Sequence, residues 1–111
     1  MNRANFIELP SANLAAAKSF YTTLFGWSLT DFGPSYSCTL TGDVDIGLQG
    51  DSAEATTAPL PVIQVENLEA TLKTAIAAGG VIVQDIFAFP GGRRFHFRDP
   101  NGNVLAAMQV D

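Results

Sequence analysis

Residues 13–26 read NLAAAKSFYTTLFG, and residues 67–80 read NLEATLKTAIAAGG. Each opens on Asn-Leu, carries apolar residues at helical spacing and closes on glycine. The step from Asn13 to Asn67 is 54 residues, and so is the step from Gly26 to Gly80, in a chain of 111. Each stretch follows an apolar run that reads as a strand, residues 4–9 in one case and 60–65 in the other. A repeat of this kind is one structural unit used twice.

In the first stretch Asn13 is suited to cap a helix, because its side-chain oxygen can accept from a free amide of the first turn. Leu14, Ala17, Tyr21, Leu24 and Phe25 recur at helical spacing, and Gly26 provides a left-handed stop. In the second, Leu68, Leu72, Ala75 and Ile76 share a face, and Glu66 and Glu69 sit near the positive helix end. Working outward, Trp27–Thr30, Ser35–Thr41 and Val44–Gln49 read as three strands after the first helix. Val81–Ile86, Arg94–Arg98 and Val104–Val110 read as three after the second. Short turns such as Thr41-Gly42-Asp43 and Phe89-Pro90-Gly91-Gly92 predict antiparallel hairpins, the latter forming a mobile lip.

Each half therefore reads β-α-β-β-β. A four-stranded sheet with a helix on one face leaves its other face uncovered, and two curved sheets can cover each other only in part. The expected fold is α+β, two βαβββ modules forming a curved mixed-sheet cup. It is a single domain, 1–111, with module one at about 3–50, a small polar linker at about 51–58 and module two at about 59–111.

Composition narrows the function classes. Apolar residues make up 47% and charged residues 15%, which favours a folded core over disorder. A net charge of −5 argues against nucleic acid as a partner. No signal peptide or long apolar stretch is visible, so a cytoplasmic protein without a membrane partner is expected. The lone Cys38 lies in an alternating strand and reads as a packing residue rather than a nucleophile.

Two further motifs complete a recognisable pattern. The first helix contains Phe20-Tyr21 and ends in Leu24-Phe25-Gly26-Trp27, and a late segment reads Phe97-Arg98-Asp99-Pro100-Asn101-Gly102-Asn103-Val104. Together these resemble the vicinal oxygen chelate superfamily, which groups glyoxalases, bleomycin resistance proteins and dioxygenases. The likeness is greatest to a bacterial glyoxalase-like subgroup related to lactoylglutathione lyase. The resemblance covers almost the whole chain. In the metal-dependent members, four strand residues, usually His, Glu or Gln, hold a divalent ion in the cavity. Carried over by the motifs, those positions fall on Phe6, Gly47, Leu60 and Ala106. None has a donor side chain, whereas a metal site needs several N or O donors converging on one point. The expectation is a chain with no metal and no cofactor.

Strand alternation gives the cavity face. Phe6 brings Glu8 inward, Gly47 brings Asp45, Leu60 brings Gln64, and Ala106 brings Met108. If Phe95 and Phe97 pack against the helix, Arg94 and His96 turn to the cavity. Arg94 is suited to a bidentate anion contact and His96 to proton transfer or donation near neutral pH. Trp27, Phe32, Tyr36, Phe87 and Phe89 form a candidate aromatic rim.

The expected ligand-binding set is Phe6, Glu8, Asp45, Leu60, Gln64, Arg94, His96, Ala106 and Met108, receiving a small aromatic or anionic organic molecule. One alternative is a metal-independent lyase or isomerase with His96 and Glu8 as acid and base. A second is a metal-dependent lyase or dioxygenase with a displaced site built from Glu8, Asp45 and His96. A homodimer is expected, because much of the first helix and of the sheet edges is apolar.

Overall fold

A computed structural model describes residues 2–111. Its elements are β1 (Arg3–Pro10), α1 (Leu14–Phe25), β2 (Thr30–Asp31), β3 (Tyr36–Cys38), β4 (Asp45–Gln49), β5 (Leu60–Gln64), α2 (Leu68–Ala77), β6 (Val81–Phe89), β7 (Gly92–Arg98) and β8 (Val104–Val110). The chain is α+β and consists of two βαβββ modules, as the repeat predicts. It divides into two compact units. One contains residues 6–60. The other contains residues 61–111 and the described residues up to Asn5, whose side-chain amide donates to the Gln64 side-chain oxygen. Among the described residues, no helix is long and apolar enough to cross a membrane.

In the first unit the strand order is β2-β3-β4-β1. The β2·β3 and β3·β4 pairs are antiparallel, and β1 joins β4 in parallel. The second unit repeats this as β6-β7-β8-β5, with antiparallel hairpins and a parallel β5·β8 pair. The parallel closure of first strand on last makes the strand set of each unit mixed. The register repeats as well. Glu8 lies opposite Gly47, and Val62, 54 residues beyond Glu8, lies opposite Ala106.

The helix caps follow the sequence. Asn13 accepts from the Ala16 amide at 3.1 Å, and Gly26 takes the left-handed conformation at φ 68°. Asn67 accepts from the Ala70 amide at 2.9 Å, and the Leu68 amide donates to Gln109 of β8 at 2.8 Å. Helix α2 seals its module with a core of Val65, Leu68, Phe95 and Ala107, against which Leu72, Ala75 and Phe97 pack. Phe95 and Leu68 are fully buried.

Two segments depart from expectation. Trp27 does not begin a strand, and β2 starts only at Thr30. The indole instead stacks on Tyr21 and Phe25, with centroids 5.2 and 5.1 Å away, so aromatic contact with α1 outcompetes strand pairing. The expected lip over 89–92 is a two-residue turn, because β6 continues to Phe89, which pairs directly with Gly92.

Candidate functional site

On one face of the second unit, register brings three of the expected polar residues, Gln64, Arg94 and His96, onto neighbouring rows. Gln64 lies opposite Met108, Met108 opposite Arg94, and Arg94 opposite Phe87. The neighbouring row runs Val62, Ala106, His96 and Gln84. Phe95 is turned to the helix side, so alternation leaves Arg94 and His96 on the face away from α2. The Arg94 guanidinium carbon lies 5.2 Å from the Phe87 ring centroid and 5.7 Å from that of Phe89. His96 meets Phe87 edge-on, with centroids 5.6 Å apart, and is 4% exposed. Two residues assigned to a rim by sequence thus hold the arginine in place. Their spacing on β6, two residues apart and opposite β7, carried that signal.

Two clefts of this unit lie elsewhere. One, of about 270 Å³, is lined by Arg3, Gln64, Val65 and Glu66. The other, of about 500 Å³, lies along α2 and is lined by Asn67, Thr71, Thr74 and Phe97 among others. Of the expected site residues only Gln64 lines either cleft.

Phe6, Glu8, Asp45 and Gly47 lie in the first unit, and Leu60 ends it, buried. Glu8 is 4% exposed. Asp45 has a local task. Its Oδ1 accepts from the Thr39 hydroxyl, the Thr41 amide and the Thr41 hydroxyl, each at 2.8 Å, and its Oδ2 from the Gly42 amide at 3.2 Å. Burial alone would raise its pKa, but these donors, led by the Thr41 amide, hold the carboxylate below its ordinary value. The Asp45 carboxylate thus locks the β3–β4 turn. Burial, assisted by Asp45, raises the pKa of Cys38, keeping it a thiol at neutral pH and matching a packing role. Among the described residues, no three His, Cys, Asp or Glu side chains gather in a group able to hold a metal.

The Phe97–Val104 motif makes a turn. Asp99 Oδ1 accepts from the Asn101 and Asn103 amides at 2.8 and 2.9 Å, and Oδ2 from the Asn103 side chain at 3.0 Å. Gly102 takes the positive φ, 87°, that the loop requires.

The chain belongs to the glyoxalase/bleomycin resistance protein/dioxygenase superfamily, whose model matches residues 3–107. A relative in Mycobacterium bovis, provisionally named glyoxylase CFP32, is 28% identical over 118 residues. The match takes in 96% of this chain and 45% of that protein, so the chain spans about half the length of the curated relatives it matches. Among solved structures, a superfamily member from Vibrio splendidus superposes with a TM-score of 0.70 at 15% identity, covering 100% of both chains. Methylmalonyl-CoA epimerase from Mycobacterium tuberculosis superposes with a TM-score of 0.76 at 13% identity, covering 98% of this chain and 88% of that one. At such identities the likeness is one of fold.

The residues that the sequence motifs carry onto the family's metal positions do not fit an ion. Phe6, Leu60 and Ala106 carry no donor atom in their side chains, and Gly47 has no side chain.

Proposed function

We propose that this chain binds a small organic anion, aromatic or carboxylate in character, without the family's divalent ion. The observation that carries the reading is Arg94 held over Phe87 and Phe89, with His96 edge-on to the same Phe87 ring. A guanidinium seated against aromatic rings is suited to bidentate contact with an oxyanion, and the rings provide apolar surface for the rest of a ligand. Gln64 and Met108 continue the same row across the sheet. Calorimetric titration and thermal shift with benzoate-like carboxylates and their neutral amides provide the test. Carboxylates should stabilise the protein, and Arg94→Gln should abolish the effect. Equal stabilisation by the amides, or an unchanged response in the variant, would refute the reading.

The burial of His96, which is 4% exposed, supports a second reading, a metal-independent lyase or isomerase with His96 moving a proton. Deuterium uptake from solvent into a bound carboxylate, followed by NMR and lost in His96→Ala, is its signature. No uptake by the wild-type protein ends that reading. We place the protein in the cytoplasm, a choice supported by a single cysteine held as a buried thiol. We also assign it a homodimeric state. Helix α1 buries none of its residues and leaves Phe20, Leu24 and Phe25 more than half exposed, which supports a second copy as partner. A monomeric sedimentation coefficient at high protein concentration would exclude it.

A further inference from the structure

Gly47 sits mid-strand in β4, where glycine costs backbone entropy and contributes no packing. It is absent from the glycines with positive φ, so no turn demands it. Its cause is space. A Cβ built on Gly47 would lie 2.6 Å from Phe6 Cζ and 2.8 Å from Phe6 Cε2, and closer still to the Tyr36 hydroxyl. Real Cβ atoms essentially never approach other atoms within 3.0 Å. The edge of one ring and the hydroxyl of another thus converge on a bare Cα. Tyr36 reaches the spot from β3, whose Cys38 pairs with Gly47, and Phe6 reaches it from β1. The equivalent position in the other unit, Ala106, carries a Cβ and is fully buried.

We infer that Phe6 and Tyr36 form an aromatic plug seated on Gly47, which closes the first unit's share of the family metal position to any ion. The chain then does more than lack donors. A His, Glu or Gln at position 47 would need both aromatic side chains displaced before it could reach a metal. The inference rests on the geometry within one unit and is independent of the anion-binding reading.

A mutant cycle and NMR test it. Gly47→Ala should lower the melting temperature by about 5 °C, since a Cβ there overpacks the space that two half-buried rings fill and forces them off their rotamers. In a Phe6→Leu/Tyr36→Phe background, which removes the colliding atoms, the same change should cost less than half as much. Equal cost in both backgrounds overturns the plug. Folding of Gly47→Ala only in the relieved background would support it. The wild-type protein gives an arm that needs no change at position 47. The Gly47 Hα resonances should carry a downfield ring-current shift, as protons at a ring edge do, that collapses in Phe6→Leu, and an unchanged shift overturns the inference. Zinc, nickel or manganese added to the wild-type protein should leave these resonances in place. Stoichiometric binding that moves Phe6 and Gly47 would overturn the inference too.

Discussion

The two modules share a backbone plan and a register, yet their helices pack differently. Helix α2 buries Leu68 against Phe95, Val65 and Ala107. Helix α1 has no fully buried residue and keeps Tyr21, Phe25 and Trp27 in an aromatic stack. The opposite sheet faces have also diverged. The first unit seats Phe6 and Tyr36 on Gly47, whereas the second sets Arg94 and His96 beside Phe87. A repeat therefore transmits strand order and pairing, which depend on the backbone, more faithfully than chemistry, which depends on single side chains. The largest test of this asymmetry is Phe95→Ala. Phe95 is fully buried at the centre of the second core. Its truncation should cost about 3–5 kcal/mol, read from the denaturation midpoint at constant slope. A loss under about 1 kcal/mol would mean that α2 is no better anchored than α1.

Much of this contrast could be read in the residues, but not all. The helix bounds were legible because Asn13, Gly26 and Asn67 act through local hydrogen bonds and local φ. The inward set followed from period-two alternation, and the register of β7 and β8 puts Arg94, His96, Ala106 and Met108 on one face of the second unit. Trp27 misled because its strand propensity is local, while its aromatic partners are packed around the helix end. Asp45 was assigned to the cavity by alternation alone, and only the turn geometry shows its carboxylate held by Thr39, Thr41 and Gly42. The meaning of Gly47 was invisible because a glycine's reason lies in the atoms that approach it, and here they come from two other strands.

The corresponding turns offer a smaller test. Asp45 ties the β3–β4 turn from the strand after it, and Asp99 ties the β7–β8 turn from the position just after β7. Asp45→Asn keeps one acceptor oxygen but turns an N–H₂ group toward the Gly42 amide, leaving two donors face to face. It should cost about 1–2 kcal/mol at neutral pH, a figure lowered because the carboxylate is only partly buried. Because the folded-state pKa lies below the unfolded value, the stabilisation is present above the unfolded value. It is lost as pH falls through the folded one. The gap between wild type and variant should therefore be widest at neutral pH and close in strong acid. Asp99, held low chiefly by the Asn103 side chain, should show the same direction. A gap that widened on acidification would mean that Asp45 is protonated in the folded protein.

The smallest expected effect lies on the helices themselves. Leu72 of α2 packs against the buried cluster, whereas Leu24 of α1 is 55% exposed. In dilute solution, where self-association does not contribute, Leu24→Ala should change stability by no more than about 0.5 kcal/mol. Leu72→Ala should cost clearly more, since truncation there removes contacts with the core. Chemical denaturation of the two variants side by side checks the order. Repeating the Leu24→Ala measurement over a range of protein concentrations sharpens it, because a partner that binds only the folded state raises apparent stability by mass action. If a second copy covers α1, the wild-type midpoint rises with concentration and the variant's does not. If both midpoints stay constant, α1 remains open to solvent, and the exposed Phe20, Leu24 and Phe25 have no partner in a second copy.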